Sequence, residues 1–249
     1  MASVPPVRKP VKVVVAVVVV LVAVAGAGLW WFLRDDAPAE VSLDAAIEGV
    51  DPGTTEATEA GGPPVVEGTW TIDGETGEFD FESATGTFAG FRIEEQLAGV
   101  GAATAVGRTG EVTGSMEIEG TTVTVARFEV DLTTITTNES RRDSRVQQAL
   151  QTDAFPVATF ELTEPIELGP AAAEGETVTV AAVGELTLHG VTRPAEFALE
   201  AQLVGETVAV VGSTEVTFAD FGVVVPSAPV VLSVEDHGIL ELQLLLVRG

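Results

Sequence analysis

From Thr69 onward the chain repeats one texture. Apolar and polar residues alternate, and Gly, Asp or Asn interrupts the alternation at short intervals. A strand puts successive side chains on opposite faces, so a period of two is what a half-buried antiparallel sheet needs and what a helix cannot use. "GSMEIEGTTVTVARFEVDL" (114–132) reads as two strands joined at Glu119-Gly120. "ETVTVAAVGELTL" (176–188) and "RPAEFALEAQLVGETVAVVGSTEVTF" (193–218) continue the pattern, with Gly205 at a turn, and "GILELQLLLV" (238–247) closes it. The prediction is all-β, with about eight strands in a closed barrel or a two-sheet sandwich, either of which avoids long open edges.

The alternation also sorts the faces. Leu186 and Leu188 share one face of their strand, with Thr187 and His189 on the other. Phe197, Leu199, Ala201 and Leu203 form a second apolar row, and Leu240, Leu242, Leu244 and Leu246 a third. The carboxylates fall mostly on the alternate positions, which reads as a solvated face. One segment is not strand. In "TTNESRRDSRVQQALQTDAFPVATF" (136–160), Ser140 reads as an N-cap with Asp143 three residues on, and Val146, Ala149 and Leu150 form an apolar stripe. A short helix across one end of a barrel fits this, ended by Phe155-Pro156.

Ahead of the strands lie two segments of different character. Val13 to Leu33 is unbroken apolar sequence, 21 residues long. At about 1.5 Å per residue it spans the roughly 30 Å hydrocarbon core of a bilayer as a helix. Arg8, Lys9 and Lys12 precede it and Asp35 and Asp36 follow it, so the positive-inside rule expects residues 1–12 in the cytoplasm and the rest outside. Ala25-Gly26-Ala27 offers the competing reading, a cleaved signal peptide. The run continues past that site into Trp30, Trp31 and Phe32, which favours an uncleaved single transmembrane helix at a cell membrane. Residues 34–68 are rich in Ala, Gly, Pro, Thr and Glu and read as a flexible acidic tether, with only "VSLDAAI" able to form a turn or two of helix.

Composition removes several functions. There are no cysteines, hence no disulfide framework, thiolate metal site or cysteine nucleophile. The net charge is −26, and all of the Asp and Glu follow Arg34, which argues against nucleic acid as a partner. His189 and His237 stand 48 residues apart in no metal-binding spacing, and no Gly-x-Ser-x-Gly or Walker-type loop is present. "GVGAATAVGRTG" (99–110) fits no nucleotide fingerprint and reads as a glycine-rich loop between strands. In "LTLHGVTRP", Gly190 suits a turn and Pro194 restarts an extended strand, which makes His189 a hydrogen-bonding residue at the rim of a turn.

"TWTID" near Trp70, "SRRDSRVQQALQTDAFPVATF" (140–160), "GELTLHGVTRP" (184–194) and "FADFGV" (218–223) together resemble the YceI-like family of polyisoprenoid-binding proteins. Arg142-Asp143, Phe155-Pro156 with Phe160, and Leu186 to Thr192 carry the resemblance, which covers about 69–249. It implies a lipocalin-like antiparallel β-barrel whose apolar tunnel holds an isoprenoid or other long-chain lipid, with no cofactor and no catalysis. The side chains expected to line that tunnel are Phe88, Phe91, Phe128, Phe160, Leu186, Leu188, Phe197, Leu199, Phe218, Leu242 and Leu244. The chain departs from the family where basic residues often follow the first strand; here 74–86 reads "GETGEFDFESATG". Two other readings stand beside this one: a surface interaction domain with a filled core, and a metal-assisted hydrolase built on His189, His237 and carboxylates.

Overall fold

A computed structural model describes residues 37–48, 50, 66–74, 78–98, 101–225 and 231–249. The expected membrane helix Val13–Leu33 lies outside them; among the described residues no helix is long and apolar enough to cross a membrane. In chain order the strands are β1 (Gly68–Ile72), β2 (Phe88–Leu97), β3 (Gly101–Thr109), β4 (Val112–Glu119), β5 (Thr122–Asp131), β6 (Thr136–Thr137) and β7 (Val157–Leu162). There follow β8 (Ile166–Glu167), β9 (Val178–Leu188), β10 (Val191–Val204), β11 (Thr207–Thr217), β12 (Val231–Val234) and β13 (His237–Arg248). The helices are α1 (Leu43–Glu48), α2 (Ser140–Leu150) and α3 (Pro170–Ala173). "GVGAATAVGRTG", read as a loop, is largely β3, because Ala, Val and Thr between its glycines pair residue for residue with β2.

Eight strands close on themselves in the order β1-β4-β5-β7-β9-β10-β11-β13, and β13 returns to β1 through Trp70 opposite Arg248. All pairings are antiparallel, so the barrel has the predicted class. β13 carries two partners on one edge: β1 beside Leu246–Arg248 and β2 beside Ile239–Gln243. At that second end the wall widens to include β2, β3 and β6.

Tight turns set the register. Leu188 pairs with Val191, leaving His189-Gly190 as a two-residue loop with φ of +53° and +73°. Two positive φ values are what a type I′ hairpin turn requires. β10 is already paired at Val191, so Pro194 lies within the strand and does not restart it. It is tolerated because β11 pairs with β10 only from Ala198 on, which leaves Pro194 on an open edge where no N–H is needed.

The helix α2 corrects another expectation. Ser140 is its first residue and Glu139 holds the cap position without a side-chain cap bond. Asp143 does not cap the helix but ties it to β6, its carboxylate accepting from the Thr137 backbone N–H at 2.9 Å and from its hydroxyl at 2.7 Å. Arg142 binds the buried Glu95 carboxylate of β2 and donates to Asn138 Oδ1 at 2.8 Å. Arg142-Asp143 thus moors the helix to β2 on one side and β6 on the other.

Outside the barrel, residues 37–48 and Val50 do not behave as the tether read into 34–68. Leu43, Ala46 and Val50 pack on Ala209, Val211 and Leu245 on the outer faces of β11 and β13. The part of the tether at 51–65 lies outside the described residues. Next to this strap the outer face is polar and dry. Arg108 Nε donates to Glu241 Oε1 at 2.7 Å, with side-chain exposures of 0% and 1%. Arg108 also donates to the carbonyls of Phe81 and Ala39, and Arg92 reaches the same Ala39 carbonyl. Gln243 donates to the Ala84 and Gly86 carbonyls. Glu241 and Glu95 are therefore not on a solvated face: chain segments cover Glu241 on the outside of the sheet, Glu95 shares the face of Phe91 and Ile93 where α2 covers it, and each carboxylate is paired with arginine.

Candidate functional site

The interior follows from the face pattern. Leu240, Leu242 and Leu244 of β13 and Leu186 and Leu188 of β9 point inward, as their spacing predicts. Two adjoining chambers open between them. One, toward α3 and the β10–β11 turn, is lined by Met116, Ile118, Val123, Ile166, Val180, Leu199 and Leu203 among others. The other, toward α2, is lined by Phe91, Ile93, Val130, Val146, Leu150, Leu186, Leu188 and Phe218 among others. Phe128, Phe160, Phe197, Leu242 and Leu244 belong to both and form a waist. At that waist the Phe160 and Phe197 rings meet edge to face, with centroids 5.2 Å apart.

Volume decides between a filled and a hollow barrel. The space open to the centre of a water-sized sphere is about 100 Å3 in the first chamber and about 190 Å3 in the second. By this measure about 10–15 Å3 holds one water, and close-packed interiors leave few voids larger than that. The interior is hollow. Among the described residues its polar lining is Glu176 and Gln202 in the first chamber and Thr159 in the second, which Glu241 borders with its carboxylate turned to Arg108 on the outer face, and no arginine, lysine or histidine lines either chamber.

Ten of the eleven residues expected in the lining are there: Phe91, Phe128, Phe160, Leu186, Leu188, Phe197, Leu199, Phe218, Leu242 and Leu244. Phe88 is not. It is fully buried on the opposite face of β2, 5.9 Å from the Phe79 ring and beneath the Arg108 guanidinium at 4.6 Å. Phe88 and Phe91 are three residues apart, and on a regular strand an odd separation puts side chains on opposite faces. Val146, Ala149 and Leu150, read as the apolar stripe of a helix across one end of the barrel, also line the second chamber, and sequence reading missed Val223 and Val225, which come from a loop where period two gives no guidance.

His189 is a turn residue. Its Nδ1 donates to the Phe221 carbonyl at 3.0 Å, and its ring meets Phe155 edge-on at 4.9 Å, while Nε2 is buried without a partner. His237 contacts Glu235 at 2.8 Å and Asp236 at 3.1 Å at the start of β13. The Asp236 hydrogen bond raises its pKa above the usual histidine value, with the Glu235 charge acting in the same direction. Among the described residues no group of three His, Asp or Glu side chains is placed to hold a metal ion.

Known proteins agree with this architecture. The chain is 30% identical over 161 residues to a UPF0312 protein of Shewanella denitrificans, covering 60% of this chain and 80% of that one. It is also 30% identical over 118 residues to a UPF0312 protein of Vibrio parahaemolyticus, covering 43% of this chain and 58% of the relative. A polyisoprenoid binding domain from Saccharophagus degradans, implicated in plant cell wall breakdown, superimposes with a TM-score of 0.52 at 17% identity, over 72% of this chain and 98% of that one. That last likeness is one of fold. The YceI-like domain model matches residues 70–245, which takes in the closed barrel, both chambers and the moored helix, and the chain belongs to the YceI-like family.

Proposed function

We propose that this protein binds a long-chain isoprenoid lipid with an uncharged headgroup, its tail running through the waist into both chambers. The observation that carries the reading is the hollow, almost wholly apolar interior. Burial is worth about 0.8 kcal/mol per CH2-sized group, so roughly 3–4 kcal/mol for each five-carbon unit. A few units therefore reach useful affinity on transfer free energy alone, even after the cost of association. The polyisoprenoid-binding neighbour of the same fold supports the lipid class.

The headgroup follows from charge. Beyond Arg34 the sequence has 38 acidic residues against eight arginines and no lysine. Arg92 and Arg108 are committed to Glu241, Arg142 to Glu95, and Arg127 to Glu129 and Glu161. The lining supplies Glu176 and Gln202 at the first chamber, and a phosphate or diphosphate has no cation there to replace its hydration. A hydroxyl or quinone head needs none. The same protein is held at the outer surface of the cell membrane by Val13–Leu33, a reading supported by the length of that run and by the charges flanking it.

Mass spectrometry of an organic extract of the purified full chain tests this. The expected result is a neutral prenyl lipid at near one-to-one stoichiometry. A polyprenyl phosphate at that stoichiometry overturns the headgroup, and an extract with no lipid, from a protein that also takes up none in vitro, returns the barrel to the class of interaction domains. Membrane pellets resisting alkaline carbonate support the anchor, whereas a mature N-terminus at Gly28 refutes it.

A further inference from the structure

The bore of the cavity is set at its wall. A Cβ added to Gly107 of β3 would stand 2.4 Å from Cε1 of Phe91, its direct partner on β2, and the three nearest atoms all belong to that ring. A Cβ at Gly184 would lie 2.3 Å from the Glu161 carbonyl oxygen and 2.5 Å from Phe160 Cζ, and one at Gly114, where φ is +150°, 2.3 Å from the Arg127 carbonyl oxygen and 2.5 Å from Phe128 Cδ1, so backbone and ring together close these two positions. Each ring fills the space that a side chain on the neighbouring strand would otherwise take, so it lies along the sheet and not across the lumen. Phe128 and Phe160 are the rings of the waist, and Phe91 lines the second chamber. Glycine inside a strand weakens it and marks a place where something must approach the backbone closely. A barrel meant to be solid gains nothing from such recesses, because a side chain in each would help to fill it.

We infer that these recesses select the cargo. By lodging rings in the wall they hold the tunnel open to the girth of a single methyl-branched chain, and Gly107 decides how much chain enters the second chamber. This rests on the lipid-binding reading above and deepens it, from the class of ligand to its length.

Gly107→Ala is the direct test. Gly107 is not among the glycines with positive φ, and the nearest obstacles to its new methyl are all in the Phe91 ring, so that ring has to turn toward the lumen. The full chain, delipidated and reconstituted in nanodiscs, is offered farnesol, geranylgeraniol and solanesol, and retention is read by native mass spectrometry. The substitution is expected to weaken solanesol by about tenfold or more, roughly 1.4 kcal/mol by the affinity scale, while farnesol changes little. Adding Phe91→Ala to Gly107→Ala should restore solanesol, an outcome that simple destabilisation does not produce. Gly212→Ala offers a second site, because its Cβ would meet Leu199 Cδ2, a mobile side-chain end in the first chamber, at 2.2 Å. If wild type holds solanesol and both folded variants hold it equally well, or if Phe91→Ala restores nothing, the inference is overturned. If wild type holds none of the three alcohols, it is the lipid-binding reading that falls.

Discussion

The buried pair outside the barrel makes a quantitative test of how the fold is held. Arg108→Met removes the 2.7 Å bond to Glu241 and both donors to the strap and loop carbonyls, leaving a carboxylate with 1% side-chain exposure. Removing one partner of a buried pair costs about 3–5 kcal/mol, because the remaining charge stays desolvated. Here Arg92 stands 3.7 Å from the other carboxylate oxygen, which sets the expected loss at the lower end, about 3 kcal/mol. For a domain of this size each kcal/mol moves Tm by about 2–4 °C, so thermal unfolding followed by circular dichroism should show a drop of roughly 6–12 °C. Changing both partners, Arg108→Met with Glu241→Met, should recover most of that drop, since an apolar pair of similar volume has no charge to desolvate. A single variant melting within about 2 °C of wild type refutes the argument, as does a double variant no more stable than the single. The pair lies outside the lumen, so the folded single variant should keep the wild-type profile of bound lipids.

Other outcomes follow from the site itself. Phe197→Arg, which puts an unpaired charge at the waist, should abolish lipid retention or unfold the barrel; native mass spectrometry showing wild-type retention in a folded variant would count against the tunnel. His189→Ala should cost about 1 kcal/mol through the lost bond to Phe221, read by urea denaturation, and leave retention within a few-fold; retention lost with the fold intact would give His189 a binding role. His237 should titrate above the ordinary histidine value by NMR, because Asp236 favours its charged form. A raised value means that its stabilising contribution is present below the ordinary value and fades as pH rises through the raised one. Asp236→Asn should move it back down; a titration at or below the ordinary value, unchanged by that substitution, would contradict the contact.

Much of the site was legible because period two is an arithmetic rule. Rows such as Leu240, Leu242 and Leu244 declare their common face, and the structure turns that face inward. Phe88 was misassigned only where the rule was not applied, three residues from Phe91. The strap had a visible trace as well. "TVAVV" at 207–211 and "LLL" at 244–246 abandon alternation, and a strand reads as continuously apolar when both of its faces are covered. β11 and β13 are covered in just this way, by the lumen on one side and by Leu43, Ala46 and Val50 on the other. What no pattern could supply was the partner: that a few residues of an apparent tether would lie there depends on packing between segments far apart in sequence.

The hollow interior was harder to see, since the same apolar rows serve a solid core equally well. The difference lies in where bulky side chains rest, and the signal for that is negative, a side chain missing in mid-strand. Gly107, Gly184 and Gly212 each cost the sheet about 0.5–1 kcal/mol relative to alanine. None of these three has a positive φ or forms a turn, so backbone conformation does not explain them. Each lies against Phe91, Phe160 or Leu199, side chains that line the chambers, with the Glu161 carbonyl also close at Gly184 and the Ala198 carbonyl at Gly212. The stability given up at these positions keeps the rings and the leucine at the wall, and an interior that close packing would otherwise fill stays open to a ligand.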